Sequence, residues 1–259
     1  MTPLDYGIVF AAAFAAGAIN SVAGGGTLLT FPALLLIVKL DPLHANATST
    51  MGLWPASLSG MMGYRSALED RKHFPIDFGI VSLLGGVAGA ILLEYLGNEA
   101  FRLAVPWLIL MAAVLFISQE GLLKRFGNPD APIRDPDLPT PKLLLFYQFL
   151  VVVYGGYFGA GIGIMMLAAF GFMRVGDIYR MNFLKNFCAL AVNVAATGIF
   201  IYKGLIHWPV ALTMAVAAIL GGYAGAGVAK KIGAKRLRWT ISAIGMIIAG
   251  WMFYQFYAK

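Results

Sequence analysis

Charge is scarce in this chain: Asp, Glu, Lys and Arg make up 12% of its 259 residues, against roughly 25% in a soluble domain. Cysteine is nearly absent. Cys188 is alone, which excludes a disulfide within the chain and a cysteine-based metal site. Histidine is scarce too, and His44, His73 and His207 are scattered without ligand spacing, so no metal is expected. The glycine runs lack the Lys-Ser/Thr ending of a phosphate loop and follow no strand. No soluble domain is present to hydrolyse ATP, no cofactor is implied, and an enzyme is not expected. The net charge of +7 forms no basic patch on a soluble surface, so nucleic acid is not an expected partner. Met1 to Tyr6 hold no Lys or Arg ahead of the first apolar run, which argues against a cleaved signal peptide.

What fills the chain instead is apolar sequence, at 60% of residues. Runs of 18 or more residues with almost no charge recur, each long enough to cross a bilayer as a helix. They are apolar on every face and rich in Ala, Leu, Ile and Gly, whereas membrane β-strands alternate polar and apolar positions. The expected fold is therefore an all-α polytopic membrane protein. Apolar segments fall near 6–23, 27–38, 45–64, 75–97 and 101–119, and again near 143–160, 163–173, 181–202, 209–229 and 237–257. Between the sets lies a polar stretch with Pro129, Pro132, Pro136, Pro139 and Pro141. The expected organisation is a first membrane repeat over 1–119, a linker over 120–142 and a second repeat over 143–259, all within one membrane domain.

The two sets match without a gap. Gly85-Gly86-Val87-Ala88-Gly89-Ala90 returns as Gly221-Gly222-Tyr223-Ala224-Gly225-Ala226, and the same offset of 136 residues pairs Gly25 with Gly161, Asp41 with Asp177, Asn46 with Asn182 and Arg102 with Arg238. The second segment of each set has about a dozen residues, too short for a comfortable crossing. Each follows a glycine break, Gly24-Gly25-Gly26 in one half and Gly159-Ala160-Gly161-Ile162-Gly163 in the other. Paired Gly-interrupted short segments point to a transporter's binding site. Glycine in a membrane helix also permits simple close packing, and that reading suits Gly85, Gly86, Gly89 and their partners.

Fifteen of the nineteen Lys and Arg residues fall on one side of the segments, including Arg65, Arg71, Lys72, Lys124, Arg125, Lys230 and Lys231; Lys39, Arg102, Lys203 and Lys259 fall on the other. The positive-inside rule then puts the linker in the cytoplasm and both termini outside. Each half must cross an odd number of times, which makes the repeats inverted.

Two stretches carry a family resemblance. Gly17-Ala18-Ile19-Asn20-Ser21-Val22 through Gly24-Gly25-Gly26 to Phe31-Pro32-Ala33-Leu34, with Asp41-Pro42-Leu43-His44-Ala45-Asn46-Ala47-Thr48-Ser49, resembles the opening of the sulfite exporter TauE/SafE family. Gly155-Gly156-Tyr157-Phe158-Gly159-Ala160-Gly161-Ile162-Gly163 and Met181-Asn182-Phe183-Leu184-Lys185-Asn186 resemble its second motif. The resemblance covers nearly the whole chain. It implies export of sulfite, sulfoacetate, another organosulfonate or a related small anion across a bacterial inner membrane. Ala168 stands where a second-half equivalent of Pro32 would be, so the two short segments are expected to bend differently. A homo-oligomer is compatible with the chain, and an anion channel or a non-transporting scaffold subunit are the alternative readings.

The residues give their own reason for an anion. A helix that starts inside the bilayer aims unsatisfied N–H groups and a positive dipole end at what precedes it. Two such helices, starting near Thr27 and Gly163, are expected to converge on one anion with Gly24, Gly25, Gly26, Gly159 and Gly161 letting the backbone approach. Asn20, Ser21, Thr27, Thr48 and Ser49 are candidate donors. Lys185, flanked by Asn182 and Asn186, is a cation in an apolar run, which usually faces a cavity or an ion path; snorkelling to the interface is the alternative. Asn193 continues the Asn182–Asn186 stripe and reads as inter-helix hydrogen bonding, as does its repeat partner Ser57. Asp41 and Asp177 read first as helix caps.

Overall fold

The computed structural model describes residues 1–22, 24–64, 76–126, 140–232 and 234–257. Most of the 120–142 connection lies outside the described residues, as do Arg65, Arg71, Lys72 and His73 and the side chains of Ser21, Lys124, Arg125, Lys230, Lys231, Lys235, Arg236 and Arg238. All regular structure among the described residues is helical. In chain order the helices are α1 (Pro3–Val22), α2 (Thr27–Ala33, continued by a π-helical turn Leu34–Val38), α3 (Pro42–Gly63), α4 (Ile76–Phe126), α5 (Lys142–Tyr157), α6 (Ile162–Phe172), α7 (Ile178–Tyr202), α8 (Trp208–Ile232) and α9 (Ala234–Tyr257). Among the described residues, three stretches are long and apolar enough to cross a membrane: Pro3–Asn20, Ile76–Leu122 and Ile178–Tyr202.

Local chemistry sets the boundaries. Asp41 starts α3 by accepting from the N–H groups of Leu43 and His44, and Asp177 starts α7 by accepting from Arg180. These are the cap roles the sequence suggests, each satisfying donors that the first helical turn leaves open. Gly97 (φ 72°, ψ −179°) interrupts α4 and divides it as the sequence does, into one stretch ending at 97 and another beyond it. Asn98, next to that kink, accepts from Leu43 N–H through its Oδ1 at 3.2 Å, tying the kink to the start of α3. The short segments differ as the Pro32/Ala168 contrast suggests. Pro32 sits inside α2, which gives way to the π-helical turn one residue after Ala33 begins its end; α6, with Ala168, is regular for 11 residues. Proline has no N–H to give, so the turns around it must find another bonding pattern.

Packing crosses between the repeats. α1 lies against α8, where a Cβ added to Gly17 would meet the carbonyl of Ala218 and one added to Gly221 the carbonyl of Phe14. α5 lies against α4 in the same way: Gly89 faces the carbonyl of Val153, and Gly156 that of Gly86. Small residues let these backbones touch, and the resulting van der Waals contact drives helix association where lipid supplies no hydrophobic contrast. In both cases the first helix of one half packs on the fourth segment of the other.

α3 and α7 fill the centre. A Cβ on Gly60 would lie 3.1 Å from Asn186 Nδ2, and Thr48 Oγ1 accepts from His207 N–H at 3.0 Å. The end of α3 therefore meets the start of α7, and the start of α3 meets the residues just past α7's end. The two helices run in opposite directions. Around this centre the exterior is apolar like the core. Leu83, Leu84, Ile91, Phe146, Leu150, Leu212, Val216 and Ile247 are exposed, while Asn46, Thr48, Ser49, Ser82, Gln148, Lys185 and Asn186 are buried among the apolar core residues. An apolar exterior suits lipid as the solvent.

Candidate functional site

The glycine breaks of the two halves touch. Gly24 has φ 73°, and a Cβ there would come within 2.8 Å of the Gly163 Cα; Gly159, at φ 85°, faces Thr27 Oγ1. Only glycine adopts these left-handed conformations without strain while leaving room for a second backbone. Thr27 and Gly163, in the first turns of α2 and α6, thus come to opposite sides of one contact. Most first-turn N–H groups are taken up locally: those of Leu28 and Leu29 bond to the Gly25 and Gly26 carbonyls, and those of Ile162 and Ile164 to Gly159 and Gly161.

Beside this contact lies a cavity lined by Asn20, Gly24, Thr27, Gly159, Gly163, Lys185 and Asn186, all named from the sequence, together with Thr50, Leu53, Ser57, Phe158, Ile162, Ala189 and Asn193. The cavity volume is about 20 Å³, enough for roughly one ordered water.

Each break also has a carbonyl end, and both carbonyl ends are occupied. Lys185 Nζ donates to the Asn20 carbonyl at 3.2 Å, near the end of α1. Asn46 Nδ2 donates to the Tyr157 carbonyl at 3.1 Å, at the end of α5. The C-terminal end of a helix carries partial negative charge and the N-terminal end partial positive charge. A donor on one carbonyl at each end offsets part of that negative charge. Lys185 is 1% exposed and, among the described residues, is the one charged residue lining that space. Its place between α7 and the end of α1, rather than at a helix end in the interface, fits the cavity-facing reading of the sequence better than snorkelling.

Asn20 has a second task. Its side-chain Oδ1 accepts from the N–H groups of Gly25 (3.0 Å) and Gly26 (3.4 Å), so the triple glycine is held by the helix it interrupts. With the oxygen engaged, the NH2 group is the end left to donate. Ser57 and Asn186 are each 2% exposed, and Ser57 Oγ and Asn186 Nδ2 have no hydrogen-bond partner among the described residues. Buried donors without partners cost about 1–3 kcal/mol each.

Other residues named from the sequence turn elsewhere. Thr48 Oγ1 holds His207, Ser49 Oγ pairs with Thr30 Oγ1 at 2.7 Å, and Asn182 Nδ2 donates to the Ile178 carbonyl at 2.9 Å. Gly25 faces the Phe116 ring, Gly26 faces Ala16, and Gly161, at φ 82°, caps α6 near Ala112. Of Ser21 only the backbone is described. The signal that finds the additional lining residues is the repeat itself. Thr50 and Asn186, Leu53 and Ala189, and Ser57 and Asn193 are partners at the offset of 136, and both members of each pair line the cavity.

Comparison with known proteins agrees with the resemblance seen in the motifs. A probable membrane transporter protein of Sinorhizobium is 29% identical over 93% of this chain and 89% of its own length. The probable membrane transporter protein YfcA of Escherichia coli is 26% identical over 98% and 92%, and one from Haemophilus influenzae is 26% identical over 96% and 94%. The profile of one family spans residues 9–252. With that match over nearly its whole length, the chain belongs to the sulfite exporter TauE/SafE family of membrane transporters.

Proposed function

We propose that the protein is a secondary transporter that carries a small sulfur-containing oxyanion, sulfite or an organosulfonate, out of the cell by alternating access. The observation that carries this reading is the meeting of both glycine breaks at a cavity lined by the buried Lys185. Helix N-termini and a buried ammonium favour negative charge. The donors on one carbonyl at each break offset part of the competing negative charge. A cavity this small supports a carrier that closes around its site before opening on either side.

The opposite directions of α3 and α7 support inverted repeats, and the distribution of Lys and Arg supports a cytoplasmic linker with both termini outside an inner membrane. In a cell negative inside, the membrane potential favours anion exit by about 2.3 kcal/mol per charge per 100 mV, so no coupling ion is required for export. Reporter fusions at Gly97 and Gly127 test the topology, and a cytoplasmic signal from both would exclude it.

Flux of labelled sulfite from liposomes holding the purified protein tests the function. Saturable efflux accelerated by sulfite on the far side is expected; unsaturable flux would mark a channel, and none in any direction a scaffold. Lys185→Gln should cut sulfite efflux about tenfold or more, the loss of one charge-assisted contact. Unchanged efflux at equal protein levels would remove Lys185 from the site.

A further inference from the structure

The lining of the cavity spans more of α7 than one small anion reaches. Asn186 and Asn193 are seven residues apart on α7, about 10 Å along its axis. That is more than one sulfite bridges with hydrogen bonds of about 2.9 Å at each end. Because α3 runs opposite to α7, and Gly60 meets Asn186, Ser57 lies one turn from that contact, towards the middle of the slot. Continuing the same register places Asn193 level with Leu53, and Thr50 one turn further on. The polar side chains therefore fall into two groups, Ser57 with Asn186 and Thr50 with Asn193. The repeat offset turns one group into the other.

We propose that the slot holds two oxyanion seats, a strong one formed by Lys185, Asn186 and Ser57 and a weak one formed by Thr50 and Asn193. This rests on the transport reading and divides its single site in two. The seats share a plan and differ in strength for stated reasons. Lys185 supplies a cation to the first; its repeat partner Ser49 is uncharged and pairs with Thr30. In the first seat Ser57 Oγ and Asn186 Nδ2 are buried without partners, donors already in place for an anion. In the second, the Thr50 hydroxyl donates to the Asn46 carbonyl at 2.9 Å and must turn away from it to serve a ligand. In the proposed topology α7 enters from the cytoplasm, so the strong seat faces the side where cargo is loaded and the weak one the side where it is released.

The two faces can be tested separately with labelled sulfite and membrane vesicles of both orientations. Inside-out vesicles present the cytoplasmic face, right-side-out vesicles the outer face. Wild-type protein should half-saturate at a lower sulfite concentration from the cytoplasmic face. Ser57→Ala should raise that concentration about tenfold at the cytoplasmic face, the effect of one hydrogen bond to a charged ligand, and change the outer value little. Asn193→Ala should do the reverse. Thr50→Val judged against Thr50→Ser, which keeps the hydroxyl, repeats the outer-face test should Asn193→Ala fail to accumulate. Equal shifts at both faces would mean a single seat, and no shift at either would mean that these side chains do not touch the ion; either result overturns the division. Wild-type vesicles with no protein-dependent sulfite flux would bring down the transport reading itself, and the division with it.

Discussion

The break between α1 and α2 is held by an amide, and the break between α5 and α6 by a phenol. Asn20 Oδ1 accepts from two backbone N–H groups in the first; Tyr154 O–H donates to the Ala160 carbonyl at 2.7 Å in the second. Neither device occurs in the other half, since Gly156 stands at the position of Asn20 and Ala18 at that of Tyr154. The reason is packing. Gly156 is pressed against the backbone of Gly86, where a side chain has no room, so the second break must be tied from another turn. The repeat has kept the path of the backbone and let its fastenings diverge. One consequence is functional: the first break brings a side-chain amide to the cavity, and the second brings backbone and apolar side chains.

The sharpest way to break this comparison is at the contact between the two breaks. Gly24→Ala carries both a left-handed φ and a collision with Gly163, and should cost about 2–4 kcal/mol. Gly97→Ala has the same φ but open space around it, and should cost about 1 kcal/mol. Thermal unfolding in detergent measures both. Equal losses would show that the breaks do not meet.

Next in size is Asn20→Ala, which strips the acceptor from Gly25 and Gly26 and should cost about 1–3 kcal/mol. Asn20→Asp keeps an acceptor and separates fastening from function. Its midpoint should stay near wild type while sulfite efflux falls at least about tenfold, because a carboxylate now faces the anion. A fall in midpoint as large as that of the alanine variant would deny Asn20 its fastening role. Tyr154→Phe removes one hydrogen bond to a carbonyl and should cost about 1 kcal/mol, with efflux close to wild type. A collapse of efflux there would place the second fastening in the transport cycle. The smallest effect belongs to Glu94→Gln. Its partner Lys203 lies 2.8 Å away and both are more than a third exposed, so a change of about 0–1 kcal/mol is expected; a larger drop in midpoint would show that this pair clamps α4 to α7.

Most of the helices were legible because long uncharged runs admit one reading in lipid, and Asp41, Asp177 and Gly97 mark ends by local chemistry alone. The cavity was half legible. Asn20, Thr27, Lys185 and Asn186 stand out as polar residues in apolar surroundings, and their positions beside glycine breaks are a matter of sequence. Thr48 and Ser49 carry the same signal and yet face His207 and Thr30, because which side of α3 meets α7 is decided by tertiary packing. Asn193 and Ser57 resemble ordinary inter-helix contacts until the opposite directions of α3 and α7 bring them to one slot. The hold of Asn46 on the Tyr157 carbonyl joins residues 111 apart in sequence, and no local pattern announces such a pair.

The exchange of partners between halves, α1 on α8 and α5 on α4, bears on how this molecule is assembled. A fragment ending at Phe126 would keep the groove of Gly85, Gly86 and Gly89 but lose the helix that fills it, and would present α1 with nothing to lie against. Severing the chain between 126 and 142 should therefore yield pieces that reassociate when made together. A lone piece has a vacancy shaped for the other, and another copy of itself is the nearest substitute.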